Sequence, residues 1–180
     1  MMSSTANAQQ QQAREATVKA SGWYKICSKT EVGNVCNVQF QVQAEQNQLV
    51  TGLNLIEIEG ENKRRIFRII VPSGRSLPPG IQISVDGKQS AAIPYIFCRP
   101  RVCSAEVGLN DNLVKVLKAG GTLTVATIDF QGNQQTIPVT LKGFTAAYDG
   151  PPRETGQDLA VGQQTLKEQL EGKVKEETTE

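Results

Sequence analysis

From Gly22 to Leu141 apolar and polar residues alternate with a period of mostly two. Val38, Phe40 and Val42 alternate with Gln39, Gln41 and Gln43, and Ile81, Ile83 and Val85 with Gln82, Ser84 and Asp86. Ile137, Val139 and Leu141 alternate in the same way with Thr136, Pro138 and Thr140. Successive side chains of a strand point to opposite faces, so this pattern describes strands with one face buried and one wet. Ile66-Phe67 and Ile69-Ile70-Val71 are apolar for longer, as in strands covered on both faces.

Turn chemistry separates the runs: Gly33-Asn34, Gly60-Glu61-Asn62, Pro78-Pro79-Gly80, Asp86-Gly87 and Gly132-Asn133. The last two are hairpin signals. Pro138 inside a strand pattern points to an edge or a bulge, because proline has no N–H for a ladder. The pattern predicts about nine strands, near 22–28, 34–43, 49–59, 64–71, 80–86, 89–98, 102–108, 121–130 and 134–141. Many short strands with close turn signals predict an all-β fold, an antiparallel β-sandwich or barrel. One short helix is expected after Asn110 or Asp111, with Leu113, Val114 and Leu117 on its apolar side, Lys115 and Lys118 near its end and Gly120-Gly121 as its stop. A further helical turn can follow Gly143, using Phe144 and Ala147.

The 180 residues divide into a Gln-rich leader over 1–16, a β domain over 17–149 and an acidic tail over 150–180. Ala6-Asn7-Ala8 has the small-x-small form of a signal-peptidase site. A basic segment and an apolar stretch do not precede it, so the sequence is read as starting inside a signal region, with a mature chain from near Gln9. Beyond Pro151-Pro152 the chain is polar and without aromatics, and a mobile tail or a loosely docked helix over Gln163–Lys175 is expected. No run approaches the ~18 apolar residues of a membrane helix, so no membrane span is expected.

Composition narrows the chemistry. The chain has no histidine, which excludes Ser–His–Asp and Cys–His catalysis, histidine-bearing zinc sites and His-ligated haem. The formal charge is +1, too small for a bulk field that would gather nucleic acid, so no nucleic-acid partner is expected. That charge is uneven: residues 17–148 carry 14 basic and 9 acidic side chains, and residues 149–180 carry 4 and 8.

Four cysteines remain. Cys27 and Cys36 flank a polar turn, and Cys98 and Cys103 flank Arg99-Pro100-Arg101-Val102. Both pairs are local, which favours disulfides Cys27–Cys36 and Cys98–Cys103, although the two other pairings stay open at this point. Loop-closure entropy gives roughly 2–3 kcal/mol for each. The spacing of Cys27 and Cys36 is too wide for a four-cysteine zinc site, and neither pair has the C-x-x-C of a redox helix. No metal or other cofactor is expected.

Two groups of basic residues are candidate partner-binding sites. Lys63, Arg64, Arg65 and Arg68 cluster at a turn and strand start, where they either meet an anionic surface or guard a strand edge. Arg99 and Arg101 sit in the loop between Cys98 and Cys103, where a rigid frame would lower the ordering cost of binding. Trp23, Tyr24, Tyr95, Phe97, Phe130 and Phe144 can stack on a sugar or line a pocket, but core packing is the commoner use of aromatics in strands. Glu57, Glu59 and Glu61, near Glu45, alternate along one strand and read as a solvated face.

A further set of residues carries a resemblance. Gly22-Trp23, Cys27, Cys36-Asn37-Val38-Gln39, Val71-Pro72-Ser73-Gly74, Leu77-Pro78-Pro79-Gly80-Ile81 and Val85-Asp86-Gly87 occur in order. Tyr95-Ile96-Phe97-Cys98, Cys103-Ser104-Ala105 and Leu141-Lys142-Gly143-Phe144-Thr145-Ala146-Ala147 follow. As a set over roughly residues 20–148 these resemble the invasion-associated locus B family of alphaproteobacteria. The resemblance implies a secreted or envelope-associated (periplasm or outer membrane), β-rich virulence protein made with a signal peptide. In pathogenic members it implies a contribution to invasion of host cells, red cells included. It also implies paired cysteines here, and it brings no catalytic residues. The expected function is therefore non-enzymatic binding to a host-cell surface. The rival is a periplasmic accessory module that binds another envelope protein. An Asp/Glu hydrolase needs paired carboxylates in a cleft, and a small-molecule carrier needs a deep apolar cavity.

Overall fold

The computed structural model describes residues 18–153, except Val32 and Asn62. The leader and the acidic tail from Glu154 onward, with the signal-region and helix expectations that fall on them, lie outside the described residues. The chain forms β1 (Lys19–Ala20), β2 (Tyr24–Thr30), β3 (Gly33–Gln43), β4 (Leu49–Glu59), β5 (Arg64–Pro72), β6 (Ile81–Val85), β7 (Lys88–Ile93), β8 (Tyr95–Cys98) and β9 (Val102–Gly108). Helix α1 (Asp111–Ala119), β10 (Thr122–Ile128), β11 (Gln134–Thr140) and helix α2 (Phe144–Asp149) complete it.

The strands form two antiparallel sheets, so the fold is the sandwich and the barrel alternative is not realised. The larger sheet has seven strands in the order β1-β3-β4-β5-β9-β8, with β2 also pairing β3; the smaller has four in the order β11-β10-β6-β7. Alternation dictates which residues face inward. Val38, Phe40 and Val42 of β3, Leu53 and Leu55 of β4, and Phe67, Ile69 and Val71 of β5 are buried from one side. Ile81, Ile83, Val85, Leu123, Val125 and Val139 are buried from the other. The long apolar run of β5 is covered on one face only: Ile66 and Ile70 are half-buried on the outside of the larger sheet.

The expected strand over 89–98 is two strands. Pro94 ends β7, and the chain crosses there from the smaller sheet to β8 in the larger. A proline interrupts the backbone ladder, while the side-chain pattern runs on through it. β1 was too short to show as a pattern. Pro138 lies in β11, at an edge of the smaller sheet, where its missing N–H leaves no partner unsatisfied. The β6–β7 turn places Asp86 at φ 51° and Gly87 at φ 69°, the mirror-image turn that matches strand twist.

The side chain of Asn110 caps α1 by accepting from the Leu113 N–H at 2.8 Å, and Val114 and Leu117 are buried. The anticipated turn after Gly143 is a second short helix, α2, which seats Phe144 in the core. Trp23 is also core. It packs on Phe40 and, edge to face, on Phe144, with ring centroids 5.1 and 4.9 Å apart. Its indole N–H donates to the Thr140 carbonyl at 2.7 Å, so burial leaves that donor satisfied.

Candidate functional site

The β8–β9 hairpin builds the first candidate. Its register places Cys98 opposite Cys103, and the two sulfurs are bonded. The loop between them is closed by a backbone bond from the Arg99 N–H to the Val102 carbonyl at 2.7 Å. Ser73, just after β5, binds it from outside: its N–H donates to the Arg101 carbonyl at 3.1 Å and its hydroxyl to the Pro100 carbonyl at 2.9 Å. The loop backbone is thus fixed from both sides while Arg99 and Arg101 are exposed. The Arg99 guanidinium lies over the Phe97 ring, 5.6 Å from its centroid, a favourable contact of a cation with an aromatic face.

The second hairpin, β2–β3, places Cys27 opposite Cys36, and these sulfurs are also bonded. Among the described residues no cysteine is free. The two disulfides fasten opposite sides of the larger sheet, because β2 borders β3 at one margin and β8 is the other margin.

The basic cluster at the start of β5 divides into paired and unpaired side chains. β5 lies between β4 and β9, so it guards no edge. Arg68 is paired with Glu106 of β9. Arg65 is the centre of a network over the rim of the sandwich. Its Nε contacts Glu57 Oε1 at 2.9 Å, its Nη1 contacts Asp111 Oδ1 at 2.6 Å, and its Nη2 donates to the Tyr148 hydroxyl at 2.9 Å. Tyr148 in turn donates to Glu57. The Asp111 and Tyr148 bonds hold the Arg65 pKa above its ordinary value, and Arg65 holds Asp111 below its own. Burial, then the bond to Glu57, pushes the Tyr148 phenol up. Glu57 is therefore half-buried and engaged by this network, while Glu59 and Glu61 are exposed. Within this cluster, Lys63 and Arg64 are the exposed side chains without an ion-pair partner among the described residues.

The two basic groups do not converge. Arg64 begins β5 and the Cys98–Cys103 loop adjoins its far end, where Pro72 pairs with Val102. At ~3.3 Å per strand residue they are roughly 25 Å apart. The aromatics divide as well. Trp23 and Phe144 are core, Tyr95 is half-buried, and Phe97 and Phe130 are exposed at 42% and 76%.

Open grooves mark the surface formed by the described residues. One of about 300 Å³ runs between α1 and β7 over Ile83, Ile93, Leu113 and Val116. A second, also about 300 Å³, continues it past Lys88, Lys115 and Asp86. A third of about 360 Å³ lies beside Arg64 and Glu106. The lining of each includes at most one carboxylate, and the Asp86 carboxylate already accepts from the N–H groups of Gly121 and Thr122. Among the described residues no group of three or more Cys, Asp or Glu is placed to hold a metal, and no helix is long and apolar enough to cross a membrane.

Two open sheets, a disulfide across a hairpin at each margin of the larger one, and basic side chains displayed on a braced loop define a disulfide-stapled β-sandwich. The chain belongs to the invasion associated locus B (IalB) protein family, whose pattern matches residues 23–152. Among solved structures it is similar to the crystal structure of invasion associated protein b from Bartonella henselae. The match has 24% identity and a TM-score of 0.61, and covers 71% of this chain and 88% of that one. At that identity the likeness concerns the fold. A comparison with curated proteins found no match.

Proposed function

We propose that this chain is a non-enzymatic, secreted or envelope-associated protein that contributes to invasion of host cells, erythrocytes among them, by binding their surface. Membership of the invasion associated family supports the role. The observation that carries the mode of action is the Cys98–Cys103 loop: a backbone fixed by a disulfide and three hydrogen bonds, with Arg99 and Arg101 displayed to solvent. A loop ordered before contact loses little conformational freedom on binding, and arginine suits anionic oxygens because its planar fork donates to two at once. The Arg65 network is taken as structural, since each of the three guanidinium nitrogens already bonds within the rim.

The test is binding of the oxidised full chain to erythrocytes, compared with Arg99→Ala/Arg101→Ala. Loss of binding with unchanged thermal stability is the expected result. Equal binding by the variant rejects the loop. Retention of the native protein in the periplasm would favour the accessory-module reading, with an envelope protein as partner.

A further inference from the structure

Six large apolar side chains are notably exposed among the described residues, and four of them, Leu77, Ile96, Phe97 and Phe130, belong to one end of the sandwich. Hydrogen bonds place them there. The loop after β5 is bonded through Ser73 to the Cys98–Cys103 loop, and through the Ser76 N–H to the Ile128 carbonyl at 2.8 Å. Arg75 also bridges to Asp129. The segments carrying Leu77, Arg99, Arg101 and Phe130 are therefore neighbours although they are far apart in sequence.

Their exposure is built in. The β8–β9 register shifts between Tyr95 and Phe97, so Ile96 is an extra residue in the strand. A bulge of this kind re-aims side chains, and both Ile96 (51%) and Phe97 (42%) face solvent where strict alternation would expose one. Phe130 tips a turn whose Asp129 carboxylate accepts from the N–H groups of Gln131 and Asn133 at 2.9 and 2.8 Å. A turn held this firmly still leaves Phe130 76% exposed. None of the four lines the three grooves described above.

We propose that this end docks on an anionic phospholipid bilayer, with Phe130, Ile96, Phe97 and Leu77 entering the interfacial layer and Arg99 and Arg101 contacting lipid phosphates. This rests on the surface-binding reading and names its target. Charge complementarity selects the occupant. Among the described residues the exposed cations of the adjoining loop are Arg99 and Arg101, and the carboxylate of the Phe130 turn, Asp129, is engaged by that turn. Protruding apolar tips with adjacent cations suit a headgroup layer, where apolar area and attraction to anionic lipid add.

The test is flotation of the oxidised full chain with vesicles of phosphatidylcholine alone or with about 30 mol % phosphatidylserine, near physiological salt. Binding to the anionic vesicles, weakened by added salt, is expected. Phe130→Ser should lower the partition coefficient about tenfold, and Arg99→Gln/Arg101→Gln about twenty-five-fold at roughly fivefold per charge. Lys63→Gln/Arg64→Gln, at the other end of β5, should leave it unchanged. No binding to anionic vesicles, or wild-type binding by Phe130→Ser, overturns the proposal. If vesicle binding fails while Arg99→Ala/Arg101→Ala still loses erythrocytes, the target is a protein or glycan and the surface-binding reading survives. If vesicles bind as expected and erythrocytes do not, the lipid docking stands without the host-cell role.

Discussion

Replacing Phe144 by alanine tests the packing of the whole sandwich, because this ring joins the last helix to the first strands. It is fully buried, meets Trp23 edge to face at 4.9 Å and Tyr148 at 5.6 Å. Truncating such a phenylalanine costs about 3–5 kcal/mol through lost transfer energy and the cavity left behind. With a urea dependence of about 2 kcal/mol per molar, the unfolding midpoint should fall by roughly 2 M. The chain has one tryptophan, so Trp23 fluorescence reports the site directly while circular dichroism reports the sheets. Phe130→Ala is the control: the same residue type at 76% exposure should change stability by no more than about 0.5 kcal/mol. Equal effects of the two substitutions, or a loss under about 1 kcal/mol for Phe144→Ala, would refute the assignment of inside and outside on which every surface argument above depends.

Opening either disulfide by paired Cys→Ser substitution should cost roughly 2–3 kcal/mol, about half a unit more for Cys27–Cys36 because it closes the longer loop; urea titrations of each pair check this, and no change would mean that the hairpins are already fixed without the bonds. Gly33→Ala should destabilise by about 2 kcal/mol or more, because Gly33 has φ +122° and a Cβ there would lie 1.8 Å from the Glu59 carbonyl oxygen; wild-type thermal stability would contradict that contact. The carboxyls of Asp86, held by the backbone N–H of Gly121 and then Thr122, and of Asp111, held by Arg65, both titrate below the usual range. Groups with depressed folded pKa contribute stability above their unfolded value of about 3.9 and lose it as pH falls through the folded one. Melting temperature should therefore be level from about pH 5 to 7 and drop below about pH 4. Asp86→Asn should remove part of that drop, and an unaltered acid limb in the variant would count against the turn as its source.

The strands, the helix cap at Asn110 and the buried residues were legible because each depends on local periodicity or on one turn. Three features were not, for physical reasons. Pro94 breaks the ladder inside an unbroken apolar run from Ala91 to Cys98, so a change of sheet left no trace in the apolar pattern. The position of β5 inside its sheet depends on pairing with β9, some forty residues away, and only that pairing reveals that Arg68 meets Glu106. Arg65 collects Glu57, Asp111 and Tyr148 at sequence separations of 8, 46 and 83, a convergence no spacing rule anticipates. Of the exposed apolar end, one signal was present: Tyr95-Ile96-Phe97-Cys98 is apolar without alternation, so a strand with one buried face must turn part of it outward. Leu77 gave none.

The Trp23 indole reaches Thr140, the Lys25 ammonium donates to the Gly150 carbonyl at 2.8 Å, and the Arg153 N–H donates to the Lys25 carbonyl at 2.8 Å. Beginning and end of the domain are thus stitched together, so the polypeptide cannot complete its interior until residues 140–153 have emerged from the ribosome. On the proposed secreted or envelope-associated reading, late closure would keep a translocation route open, and reaching an oxidising compartment would let the two hairpins lock.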